Sequence, residues 1–123
     1  MPVNRISKEA IMKMTRGQVN VSDQTTCVIK FYSNGCHLCH ALSSYYKDIS
    51  DSYDDVMFFA YNVDDDEEIS DMLNLNGVPS ITMFKVKQGK KAVIRNLADP
   101  DNPNEETWFT SKQIKNFIDK ELK

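Results

Sequence analysis

Two thiols and two imidazoles fall within five consecutive residues, Cys36-His37-Leu38-Cys39-His40, and no other part of the chain is as dense in reactive side chains. The stretch before it reads as a strand and the stretch after it as a helix. At such a junction unpaired backbone N–H groups and the positive end of the helix dipole stabilise an anion, so a thiol at Cys36 should ionise more readily than usual. A two-residue spacer sets the second sulfur one helical turn away, within reach of a disulfide. The chemistry this suits is thiol–disulfide exchange. Cys36, exposed, attacks a substrate disulfide, and Cys39, deeper in the helix, resolves the mixed disulfide. Imidazolium groups at His37 and His40 would favour the thiolate; two solvated histidines on a helix surface are the plainer reading. A purely structural cysteine pair is the competing account of the sulfurs. Cys27 lies inside an apolar run and reads as a small buried hydrophobe.

Other chemistries fit less well. The same five residues match the CxxCH pattern of covalent haem attachment, but that needs export, an axial partner and an all-helical wrap. Zinc normally draws ligand pairs from separated segments, and the sequence offers no second pair, so no metal site is expected. The acidic run Asp64-Asp65-Asp66-Glu67-Glu68 lacks the glycine and terminal glutamate spacing of a calcium loop. Acids opening a helix, with Asp64 or Asp65 as cap, account for it. Asn20-Val21-Ser22 is a glycosylation sequon, without consequence inside a cell. No Gly-rich phosphate loop and no Ser/His/Asp arrangement is evident.

The elements that must hold the cysteines follow from periodicity. Ser7 opens a helix carrying Ile11 and Met14, with Gly17 as its stop. After a polar loop over 18–24, the β-branched and aromatic run Thr25–Tyr32 predicts a buried strand, closed by the turn Ser33-Asn34-Gly35. In the helix beginning near Cys36, Leu38, Leu42, Tyr45 or Tyr46, and Ile49 recur on one stripe. Val56–Val63 predicts a second central strand and Asp65–Leu75 a short helix. Ser80–Val86 and Ala92–Arg95 predict a hairpin around Gln88-Gly89. A loop over 97–109 precedes a helix whose Thr110 and Gln113 form a capping box, with Ile114, Phe117, Ile118 and Leu122 facing inward. With a weak first strand around Val3 the order is β-α-β-α-β-α-β-β-α, which implies a mixed sheet with helices on both faces.

The chain has 123 residues, 41% hydrophobic and 27% charged, which suits one soluble domain with one core. The longest apolar run, Val56 to Tyr61, is far too short to span a bilayer. A net charge of −3 and a pI near 5.3 speak against nucleic acid or an anionic membrane as partner. Three cysteines are too few for a disulfide-stapled scaffold. Met1-Pro2-Val3-Asn4-Arg5 runs on without an apolar h-region, so a reducing, cytoplasmic compartment is the expectation.

Lys30-Phe31-Tyr32-Ser33-Asn34-Gly35-Cys36-His37-Leu38-Cys39, together with Gly77-Val78-Pro79-Ser80, resembles the thioredoxin family. The likeness runs through Asn62-Val63-Asp64 and Phe84 and covers nearly the whole chain. It implies an α/β thioredoxin fold over residues 1–123, with a central mixed four- to five-stranded sheet and helices on both faces. It also implies a cis Pro79 opposite the cysteines, with the backbone of Val78 pairing with a bound substrate chain as an added strand. A plain strand-start proline is the alternative for Pro79.

The sequence also departs from the family. The spacer is His-Leu in place of Gly-Pro. Gly35 stands where a tryptophan usually walls the substrate groove. The segment between Leu97 and Phe109 is longer than usual. Lys30 occupies the position of a buried acid that assists proton transfer at the inner cysteine. An ammonium there, if it points inward, stabilises thiolates and makes the couple less reducing than thioredoxin; if it snorkels to solvent, the effect shrinks. His37 or His40 could then relay the proton.

The reading is a cytoplasmic, monomeric protein-disulfide oxidoreductase with Cys36 as nucleophile and Cys39 as resolver. Its only cofactor is the Cys36–Cys39 disulfide. It would act on protein disulfides and be served by an unidentified reductase or thiol donor. The alternative is a thioredoxin-like protein-binding module with incidental redox activity, contacting a partner through the acidic surface near Asp64 and the 97–109 loop. Trp108 would be its hot spot, or else a core residue at the loop's end.

Overall fold

The computed structural model describes residues 3–123. Its elements are β1 (Asn4–Arg5), α1 (Lys8–Arg16), β2 (Thr25–Tyr32), α2 (His37–Asp51), β3 (Val56–Asn62), α3 (Glu68–Met72), β4 (Ser80–Val86), β5 (Val93–Asn96) and α4 (Ser111–Leu122). The five strands form one sheet in the order β1-β3-β2-β4-β5. β1 and β2 run parallel to β3, while β4 is antiparallel to both β2 and β5.

β2 is the strand that presents the cysteines, and it is central. Both its edges are hydrogen-bonded, and residues 27–31 are buried. Its alternating side chains divide the core. Val28 packs with Leu42, Tyr46 and Ile49 of α2 and Ile114 of α4, whereas Cys27, Ile29 and Phe31 pack with Ile11 of α1 and Ile69 of α3. Cys27 is a free, buried thiol in that second layer, and burial pushes its pKa up to about 11.

The helix ends follow local chemistry. The Ser7 hydroxyl accepts from the Ala10 N–H, and Gly17, at φ 74°, closes α1. A Cβ on Gly17 would lie 2.0 Å from the Lys90 carbonyl oxygen, so the hairpin packs directly on that glycine. Thr110 and Gln113 make the reciprocal capping box at α4. Ala92, expected in the hairpin, instead donates to the Thr15 carbonyl at the end of α1, and β5 starts one residue later.

Two expectations are corrected. The third helix spans Glu68–Met72 and not 65–75. Asn62 takes the preceding acids into a turn, accepting from the backbone of Asp64 and Asp65, and Asn74 at φ 56° ends the helix early. The acid that serves its N-terminus is Asp66, whose carboxylate accepts from the Glu68 N–H at 2.8 Å. In α2 the sheet-facing row is Cys39, Leu42, Tyr46 and Ile49, with Leu38 turned aside and half-exposed. A 3.6-residue period puts Cys39 on that row and rotates Leu38 off it by about 100°. Among the described residues no helix is long and apolar enough to cross a membrane.

Candidate active site

β2 delivers the chain at Tyr32, and the turn over 33–35 reverses it into α2 with Cys36 as the N-cap residue. Three contacts hold that turn. The Asn34 N–H donates to the Asp64 carboxylate at 2.8 Å, the Asn62 amide donates to the Asn34 side-chain oxygen at 2.8 Å, and the Cys36 N–H donates to the Ser33 carbonyl. Asn62 is the last residue of β3 and Asp64 lies two residues on; β3 runs parallel beside β2, so the sheet itself brings them to the turn.

Cys36 and Cys39 form a disulfide, with Cα atoms 5.3 Å apart. The Cys39 N–H points at the Cys36 sulfur at 3.1 Å, the helix-end donor that a thiolate formed there on reduction would accept from. The two sulfurs differ in access. Cys36 is partly exposed, whereas Cys39 is 0% exposed.

Lys30 points inward. It is 5% exposed; its ammonium donates to the Ser43 hydroxyl at 2.6 Å and lies over the rings of Tyr32 and Tyr46. Burial pushes its pKa down to about 8. The Ser43 hydroxyl donates to the Cys39 carbonyl at 3.1 Å, which links Lys30 to the backbone of the inner cysteine. His40 is exposed, with Nε2 3.1 Å from the Asn34 carbonyl and its ring edge-on to Tyr32. His37 is exposed at the first position of α2.

The Val78–Pro79 peptide is cis. Leu38, Val78, Pro79, Asp99 and Trp108 line a groove of about 180 Å³. A Cβ on Gly35 would meet nothing within 4 Å, so the chain is open on that side. Trp108 comes from the long segment after β5. Its indole N–H donates to the Asp99 carboxylate, its backbone pairs with Asn104, and its φ is 69°. The core residue at that loop's end is Phe109, 1% exposed, while Trp108 stands half-exposed in the groove wall. The sequence marks Asn62 and Asp64 only as part of the family likeness, and Asp64 as a helix cap or acidic contact surface. It singles out neither them nor Ser43 as holding the site, whereas Asn62 and Asp64 brace the turn before Cys36 and Ser43 holds Lys30. Ser43 could have been found, since it lies one turn after Cys39 on the same helical face.

The thioredoxin family model matches residues 10–102. The chain belongs to the thioredoxin family. It is 27% identical over 73 residues to a thioredoxin of Mycoplasma genitalium, covering 59% of this chain and 72% of that one. It is 22% identical over 65 residues to thioredoxin 1 of Plasmodium falciparum, covering 53% of this chain and 62% of that one. Among solved structures, the Trx4 domain of ERdj5 superposes with TM-score 0.72 at 12% identity, covering 99% and 96% of the two chains. Chloroplastic thioredoxin z gives 0.66 at 22% identity, covering 98% and 94%. At those identities the structural likeness speaks for the thioredoxin fold alone. Within it, the haem pattern lacks the helical wrap it needs. Among the described residues no group of three or more His, Cys, Asp or Glu side chains comes together as a metal site.

Proposed function

We propose that the protein is a thiol–disulfide oxidoreductase that exchanges electrons with protein disulfides through Cys36 and Cys39. The observation that carries this reading is the asymmetry of the pair: one sulfur at the helix N-terminus within reach of a partner, the other sealed beneath it. In the reduced protein the Cys36 thiolate attacks one sulfur of a substrate disulfide. That S–S bond breaks, a mixed disulfide forms, and the first substrate sulfur leaves as thiolate. Cys39 then loses its proton and attacks the Cys36 sulfur, releasing the second substrate thiolate and closing the Cys36–Cys39 bond. Two electrons have passed to the substrate, and the reverse sequence oxidises it. An external thiol donor or reductase in a reducing, cytoplasmic setting would return the pair to the dithiol. No further cofactor is needed, and a monomer suffices.

Val78 would pair its backbone with the substrate chain beside Pro79, with Gly35 leaving room for it. The inward ammonium of Lys30 supports a couple less reducing than thioredoxin, because it favours thiolate. His37 and His40 add to that bias when protonated and can carry the proton of Cys39. A protein-binding module is the second reading, and the groove wall formed by Trp108 and Asp99 favours it. Insulin reduction with dithiothreitol separates the two: the wild type should accelerate precipitation and Cys36→Ser should not, whereas equal rates favour the binding module. Equilibration with glutathione should give a potential above thioredoxin's, which lies at about −270 mV; a value at or below it refutes the less-reducing assignment.

A further inference from the structure

Beside α2, over β2 and β3 and next to Val3, lies a cavity of about 590 Å³ that shares no lining residue with the groove of Pro79. That volume is in the range of small-molecule sites. Val3, Ala60 and the rings of Tyr32 and Tyr46 form much of its wall; Lys30, Lys47, His40 and Ser43 supply the polar groups. Among the described residues the lining contains two lysines, one histidine and no carboxylate, so its charge is of one sign.

The hydrogen-bond inventory sharpens this. An ammonium has three N–H donors and no acceptor. Ser43 takes one from Lys30. The Ser43 hydroxyl proton is committed to the Cys39 carbonyl, and the Tyr46 hydroxyl to the carbonyls of Val28 and Phe59. His40 spends Nε2 on the Asn34 carbonyl. The donors left over belong to Lys30, at the bottom of the cavity, and Lys47, at its exposed rim. A buried cation with spare donors and no anion of its own is complementary to an incoming acceptor of negative charge.

We infer that this cavity binds a small organic carboxylate, its charged end on Lys30 and Lys47 and its apolar body against Val3 and Ala60. An inorganic anion would satisfy the lysines but leave the apolar wall unfilled, so body and charge are both part of the assignment. The inference does not depend on the oxidoreductase reading, since none of its contacts requires a reactive sulfur.

Benzoate, titrated into the oxidised full-length protein and followed by amide and side-chain NMR shifts, tests it. Saturable shifts centred on Lys30, Ser43, Lys47 and Ala60, half-complete at or below about 5 mM, are expected. Inorganic phosphate at equal ionic strength should give no saturable shift at Lys30 and Ala60. Lys30→Met should weaken benzoate at least tenfold. Ala60→Leu, which fills the cavity and keeps the charge, should weaken it likewise, so the outcome does not rest on one variant's folding. Absence of saturation, equal saturation by phosphate, or undiminished binding in both folded variants would overturn the assignment.

Discussion

The ammonium of Lys30 lies 2.6 Å from the Ser43 hydroxyl, and that hydroxyl donates to the carbonyl of Cys39. A charge on the central strand is thereby tied, through one helix side chain, to the backbone of the inner cysteine. The ammonium has left bulk water without gaining a carboxylate, and its pKa has fallen to about 8 as a result.

The first consequence is for stability. Below pH 8 both the folded and unfolded chains keep the Lys30 proton, and the folded state bears the whole cost of burying the charge. Between about pH 8 and the ordinary lysine value of roughly 10.4, the unfolded chain holds a proton that the folded one has released, so the cost is relieved as pH rises. Lys30→Met should therefore stabilise the oxidised protein by on the order of 2 kcal/mol at pH 7, with the gain shrinking by pH 10. Urea unfolding of both proteins at the two pH values measures this; a gain that does not change with pH contradicts it.

The second is for redox poise. On the proposal that the inward charge favours thiolate in the reduced state, Lys30→Met should lower the reduction potential by about 30 mV, equivalent to about 1.4 kcal/mol for two electrons. Glutathione equilibration of the two proteins reads the difference, and an unchanged or raised potential counts against the role.

Exposure separates the cysteines experimentally. Cys39→Ser should accumulate a mixed disulfide between Cys36 and a protein substrate, seen as a mass increase on a non-reducing gel. Cys36→Ser should not, because its remaining active-site thiol is fully buried. Equal trapping by both variants would refute the assigned order of attack.

Trp108 is expected to act on recognition. Trp108→Ala should raise KM for a protein disulfide about tenfold, as loss of an aromatic anchor commonly does. Turnover of glutathione disulfide should change less than about twofold. Because the backbone at Trp108 has φ 69°, Trp108→Gly should be more stable than Trp108→Ala by about 1 kcal/mol, compared by thermal unfolding.

Gly17 offers a purely structural control. Its φ of 74° and the 2.0 Å approach of the Lys90 oxygen leave no room for a methyl group. Gly17→Ala should cost about 2 kcal/mol or more in stability, with reduction potential unchanged.

Much of the fold was legible because its signals are local. Thr25–Tyr32 is a dense β-branched and aromatic run, Ser7 and Thr110 carry their own capping chemistry, and Gly17 marks a left-handed stop. The Cys36–Cys39 pair was legible for the same reason: its meaning lies in a spacing and a strand–helix junction. The third helix was misjudged because Asn62 captures the following acids in a turn, which residue propensities do not register. Leu38 and Cys39 compete for one helical face, and only packing against the sheet decides between them. The inward direction of Lys30 depends on Ser43 and two tyrosine rings, and the groove wall on how a long loop folds back. Both are tertiary facts with no local signature.

The burial of Cys39 also bears on how the protein would meet hydrogen peroxide. Oxidants reach thiols in proportion to their ionisation and access, so Cys36 is the sulfur that would form sulfenic acid first. Cys39 lies one helical turn away and would condense with it, expelling water and closing the same disulfide that turnover produces. Damage thus converges on a recoverable state. Irreversible sulfinic acid would need a second peroxide to arrive before a neighbouring thiol that is already in place.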